Sequence, residues 1–120
     1  PGIIRAGADP PHGTHMDLAE LTQRMHDFVR AKGWYEPDTP RAQTPRNIAT
    51  SLAIEAAEIL EHFQWRDDVT DRAALAGELA DVTLYLLQLA AVTGIDLETA
   101  VLDKLASNYN RTWDDDRPGR

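Results

Sequence analysis

A chain of 120 residues with a formal net charge of -8 and no cysteine is bounded before any motif is read. The length fits one domain with an ordinary core. The charge argues against a nucleic-acid polymer or an anionic membrane as partner, and the absence of thiols excludes disulfides, thiolate zinc and iron–sulfur clusters, in keeping with a reducing cytoplasm.

Residues 1–15 carry three prolines and three glycines and show no apolar periodicity. Gly13-Thr14-His15-Met16 reads as an expression-vector remnant ahead of a natural start at Met16, so residues 1–15 are set aside as a disordered segment. No signal-peptide core precedes Met16. The longest apolar run, Leu84 to Val92, is broken by Gln88 and is too short to span a bilayer.

A first helix is expected from Asp17, where Asp17 and Glu20 form a capping-box pattern. Leu18, Leu21, Met25, Phe28 and Val29 recur at three- and four-residue steps, and Gly33 is a plausible stop. Trp34 to Gln43 is a loop, since Pro37 and Pro40 forbid a regular helix. Its aromatic pair, Trp34 and Tyr35, serves either packing or the stacking of a nucleobase. A second helix opens at Thr44-Pro45, with Thr as N-cap and Pro at the first helical position, and runs to about Trp65. A third runs from about Asp71 to Thr93, with Gly94 as its stop. It is apolar nearly all round beyond Leu79, so one copy of the fold does not supply its whole cover, and a homo-oligomeric interface is the simplest completion. A fourth opens at Asp96 and ends near Arg111 to Trp113. Residues 114–120 form a charged tail, expected to be disordered. The fold class is all-α, a four-helix bundle-like domain over residues 16–113.

Two acidic pairs stand inside this pattern. Glu55 and Glu58, then Glu78 and Asp81, are each spaced i, i+3, so each pair shares one helix face. Such acids are either solvated faces, partners of Lys or Arg, or ligands. Two pairs embedded in apolar stripes on consecutive helices favour ligands, because clustered carboxylates repel unless a cation lies between them. Hard oxygen donors suit magnesium, which keeps open positions for phosphate oxygens and water. Neither pair contains histidine, which weighs against zinc and against a ferritin-like di-iron site. Lys104, Asn108 and Arg111 share a face of the fourth helix and either hold a polyphosphate or form a solvated surface. His26 and His62 are lone histidines, and His62 reads as a surface residue at a helix end. Trp65 and Tyr85 are core residues or the aromatic walls of a base site.

Pro45-Arg46-Asn47, Glu55-Ala56-Ala57-Glu58, Glu61-His62-Phe63-Gln64-Trp65, Glu78-Leu79-Ala80-Asp81-Val82 with Tyr85, and Lys104 with Asn108 together resemble the MazG-like nucleotide pyrophosphohydrolases. Within that family the chain is most similar to the short dCTP-pyrophosphatase-type members. The resemblance implies hydrolysis of nucleoside triphosphates between the α and β phosphates, giving monophosphate and pyrophosphate. It implies Mg2+, with Mn2+ as a substitute, held by Glu55, Glu58, Glu78 and Asp81. Glu55 or Glu58 would be the catalytic base. It places Lys104 and Asn108 at the phosphates, with Trp34, Asn47, Trp65 and Tyr85 at the base and sugar. It further implies a cytoplasmic homodimer or homotetramer that cleanses deoxynucleotide pools, with a dCTP-like substrate favoured. Two departures fall on the base side: the loop from Trp34 to Pro45 is about five residues longer, and Met25 stands where those members carry a histidine, with His26 one residue out of register. The alternatives are a related enzyme acting on dUTP, a damaged-base triphosphate or phosphoribosyl-ATP, and a non-catalytic helical oligomer that binds nucleotides or a protein partner.

Overall fold

Local capping sets the element boundaries. Asp17 accepts from the Glu20 backbone N–H at 2.8 Å, and the Glu20 carboxylate accepts from the Asp17 N–H at 3.3 Å. This reciprocal pair opens α1 (Leu18–Ala31). Thr44 accepts from the Asn47 N–H and Pro45 takes the first position of α2 (Pro45–Glu61), where its missing N–H removes no helical bond. Asp71 and Asp96 cap α3 (Arg72–Thr93) and α4 (Leu97–Tyr109) in the same way. These elements come from a computed structural model that describes residues 16–112. Both proposed disordered ends, residues 1–15 and 114–120, and Trp113 with them, lie outside the described residues.

Helix ends follow backbone chemistry. Gly94 sits at φ 75°, in the left-handed region that costs a side chain, and Ile95 N–H reaches back to the Ala90 carbonyl at 2.8 Å. Gly33 ends α1 likewise, at φ 76°, with Trp34 N–H on the Val29 carbonyl. Two expected ends move inward. The second helix stops at Glu61 rather than Trp65, because His62 and Phe63 bond the carbonyls three residues back and tighten the turn. The fourth stops at Tyr109, where Asn110 and Arg111 bond Ser107 and Asn108 in the same tighter pattern.

The described residues contain four helices and no strand. α3 is the axis, with both α2 and α1 packed along it. The core is Met25 and Val29 from α1, Ile48 from α2, and Leu87 and Ala90 from α3. α4 buries no residue, and Val101, Leu102 and Leu105 stay exposed. So four helices form, as the periodicity predicts, but three of them share the core. α3 also shows apolar side chains that its neighbours leave uncovered: Leu79, Leu84 and Leu86 are all exposed. At 22 residues, with an 18-residue stretch of mean hydropathy 1.4, it is long and apolar enough to cross a membrane by length and composition alone. The run-length criterion applied to Leu84–Val92 missed this. Here the helix serves as the packing axis for α1 and α2 and carries Glu78 and Asp81.

Candidate active site

The α2–α3 packing brings the two acidic pairs together. The Glu55 carboxyl is pushed above its ordinary value of about 4.5, first by burial and then by the negative charge of Glu58, Asp81 and Glu78. A hydrogen-bonding interaction with Asp81 acts in the same direction, since two carboxyls can bond only if one keeps its proton. The ion pairs among the described residues put no lysine or arginine on any of these four acids. A partly buried acidic cluster paired with no lysine or arginine is a charge pattern that a divalent cation relieves.

The four carboxylates do not yet form a cage. Among the described residues, no three acidic or histidine side chains converge as a ready-made metal site. Asp81 engages Glu55, and Glu78 Oε1 lies 2.6 Å from His62 Nε2. His62 and Glu78 are both largely withdrawn from solvent, with 14% and 22% of their side chains exposed. His62 is therefore not the surface residue its position at a helix end suggests. The tight turn that ends α2 at Glu61 aims its imidazole at α3.

Beside the acids lies a cavity of about 460 Å3, and Asp81 belongs to its wall. The size suits a nucleobase with its sugar. Trp34, Asn47 and Tyr85, three of the four residues expected around the base and sugar, line it. Trp34 is fixed on both sides: Phe28 meets it edge-on at 5.6 Å, and the Arg41 guanidinium lies 4.5 Å from its ring centre. Asn47 is held by its Nδ2 donating to the Ala42 carbonyl at 2.9 Å. Trp65 is not part of this wall and is 85% exposed. Nor do Lys104, Asn108 or Arg111 line it. Asn108 keeps a buried Oδ1 without a hydrogen-bond partner among the described residues.

Sequence pattern overlooked the most buried polar residue here. Gln88, 3% exposed, reads in the sequence only as an interruption of an apolar run, yet it lines the cavity and donates through Nε2 to Gln43 Oε1 at 2.8 Å. The paired arginines Arg24 and Arg41 at the rim were also not singled out. The one available signal was Gln88 itself, a polar residue at a position where α3 is otherwise apolar.

Comparison with known proteins agrees with this layout. The MazG-like family model matches residues 50–117, which include all four acids. The chain is 39% identical over 116 residues to dCTP pyrophosphatase 1 of Rattus norvegicus, covering 88% of this chain and 65% of that protein. It is 34% identical over 80 residues to a dATP/dGTP diphosphohydrolase of Cyanophage S-2L, covering 67% and 68% of the two. A crystal structure of a pyrophosphatase from Archaeoglobus fulgidus superposes with a TM-score of 0.67 at 32% identity, over 84% of this chain and 96% of that one. The chain thus spans just under two thirds of the length of the rat protein. Fold, acidic pairs and similarity converge on one assignment: this chain belongs to the MazG-like family.

Proposed function

We propose that this chain is a nucleoside triphosphate pyrophosphohydrolase, releasing monophosphate and pyrophosphate from deoxynucleotides. The observation that carries this is the juxtaposition of a four-carboxylate cluster, paired with no lysine or arginine, with a base-sized cavity through the shared residue Asp81. The relatives named for dCTP and for dATP and dGTP support the same substrate class, and a dCTP-like substrate remains favoured.

Glu55, Glu58, Glu78 and Asp81 would hold Mg2+, or Mn2+ in its place; the donor set is all oxygen, as hard cations require. When bound, the ion supplies charge neutralisation at the phosphates and a more acidic water. The protein's own work is separable from that. His62 holds Glu78 by one carboxylate oxygen and leaves the other free. Glu55 or Glu58 would take up the proton of the attacking water. Trp34, Asn47 and Tyr85 wall the cavity that fixes the nucleoside. Lys104 and Asn108 would complete the phosphate side from α4, with Arg111 just past the end of that helix, which this copy of the chain leaves without a buried residue.

That last point supports a homodimer or homotetramer. Leu60, Leu79, Leu102 and Leu105 are each at least half exposed, and an assembly that covers them also gives α4 and Trp65 something to pack on. A cytoplasmic house-cleaning role for deoxynucleotide pools fits the chemistry. The functional test is pyrophosphate release from a panel of deoxynucleoside triphosphates, with and without magnesium, for the wild type and for Glu58→Gln. Magnesium-dependent release that the variant lacks is expected. Binding without turnover in the wild type would instead identify a nucleotide-binding module.

A further inference from the structure

A chain of four hydrogen bonds runs behind the cavity, and its polarity is fixed at one end. The backbone carbonyl of Arg41 can only accept, so the Gln43 atom 2.6 Å away is the donating Nε2. Gln43 Oε1 then faces Gln88 and accepts from Gln88 Nε2 at 2.8 Å. The same Nε2 donates to the Tyr35 hydroxyl at 3.3 Å, and that hydroxyl lies 2.6 Å from His26 Nδ1. Burial, followed by the charge of nearby Arg30, pushes the His26 imidazole below its ordinary value of 6.5, which favours its neutral form. Tyr35 accepts from Gln88, and with the His26 proton on Nε2 its hydroxyl donates to Nδ1, so that the links agree in direction.

The consequence concerns what is left over. Both N–H groups of Gln88 are committed, and no hydrogen bond among the described residues engages its Oε1. Gln43 has one uncommitted N–H. Both side chains line the cavity, so its wall offers an acceptor and a donor from neighbouring amides. Cytosine and adenine present the complement on one edge, an exocyclic amino donor beside a bare ring nitrogen. Thymine, uracil and guanine present the reverse, a carbonyl beside a ring N–H. Turning Gln88 over to suit them would set its Oε1 against Gln43 Oε1 and strip Tyr35 of its donor, leaving buried groups unpaired.

We propose that Gln88, locked by Gln43, Tyr35 and His26, makes the cavity selective for nucleotides whose base carries an exocyclic amino group beside an unprotonated ring nitrogen. This deepens the assignment of the cavity as the base site and rests on it. It does not rest on hydrolysis.

The test uses dCMP and dUMP, which differ at that edge alone, in calorimetric titrations of the full chain with magnesium present. dCMP is expected to bind at least about tenfold more tightly, the scale set by leaving a buried polar group unpaired. Gln88→Met, close to isosteric, should bring the two affinities within about threefold of each other by removing that term. Tyr35→Phe, which removes one of the two acceptors that hold the Gln88 amide, should narrow the ratio even if the first variant folds poorly. Equal binding of dCMP and dUMP to the wild type would overturn the proposal even in a chain that hydrolyses triphosphates. So would an unchanged ratio in folded Gln88→Met and in Tyr35→Phe. A dCMP preference in a chain that cleaves nothing would uphold the selectivity while refuting the enzymatic assignment.

Discussion

His62 Nε2 and Glu78 Oε1 lie 2.6 Å apart, joining the C-terminal turn of α2 to the middle of α3. The imidazole orients one carboxylate of the acidic cluster by occupying one of its oxygens. Partners of this kind typically change metal affinity by about 10- to 100-fold. His62→Ala should therefore weaken Mn2+ binding to the full chain by at least about tenfold in calorimetric titration. His62→Gln, which restores a donor, should recover part of the loss. Unchanged affinity in the alanine variant would show that the bond does not orient the ligand.

The raised Glu55 carboxyl makes stability depend on pH in a definite direction. Above its ordinary value of about 4.5 and below its raised one, the folded state binds more protons than the unfolded state. Its contribution is full below the ordinary value and is lost as pH rises through the raised one. In chelator, the wild type should lose stability relative to Glu55→Gln as pH rises from about 4 to 7, read from urea midpoints. Parallel pH profiles for the two proteins would refute the shift.

Gly94 tests the backbone account of the α3–α4 connection. A side chain at φ 75° is strained even though open space surrounds the added Cβ. Gly94→Ala should cost about 1 kcal/mol in chemical denaturation, the left-handed penalty, with no change in nucleotide affinity. A stability equal to that of the wild type would show that the helix end relaxes to another conformation.

The exposed leucines of α2, α3 and α4 predict association. Sedimentation should find a dimer or tetramer, and Leu105→Lys on α4, where Leu105 is 50% exposed, should shift it toward monomer. A wild-type monomer at micromolar concentration would contradict the assembly and the placement of α4 as its contact.

How far the sequence foretold these features depended on the range of the interactions involved. The caps at Asp17, Thr44 and Asp96 and the left-handed stops at Gly33 and Gly94 are local chemistry, and each was legible. The acidic pairs were legible because i, i+3 spacing puts both members on one face. The end of α2 was not, since Phe63 and Trp65 continue the apolar content while the turn at His62 is tightened by bonds that composition does not show. The network of His26, Tyr35, Gln43 and Gln88 was invisible for a different reason. Its members lie on α1, on α3 and in the loop between α1 and α2, with bonded partners up to 53 residues apart, so no periodicity links them. Trp65 enters through the family resemblance, and in this single copy of the chain its side chain is 85% exposed.

Product analysis tests the central claim most directly. The purified chain is incubated with dCTP and magnesium, and the products are resolved by phosphorus NMR. The account predicts dCMP and pyrophosphate, formed only when magnesium is present and not by Glu58→Gln. Formation of dCDP and orthophosphate, or turnover that persists in chelator, would contradict it.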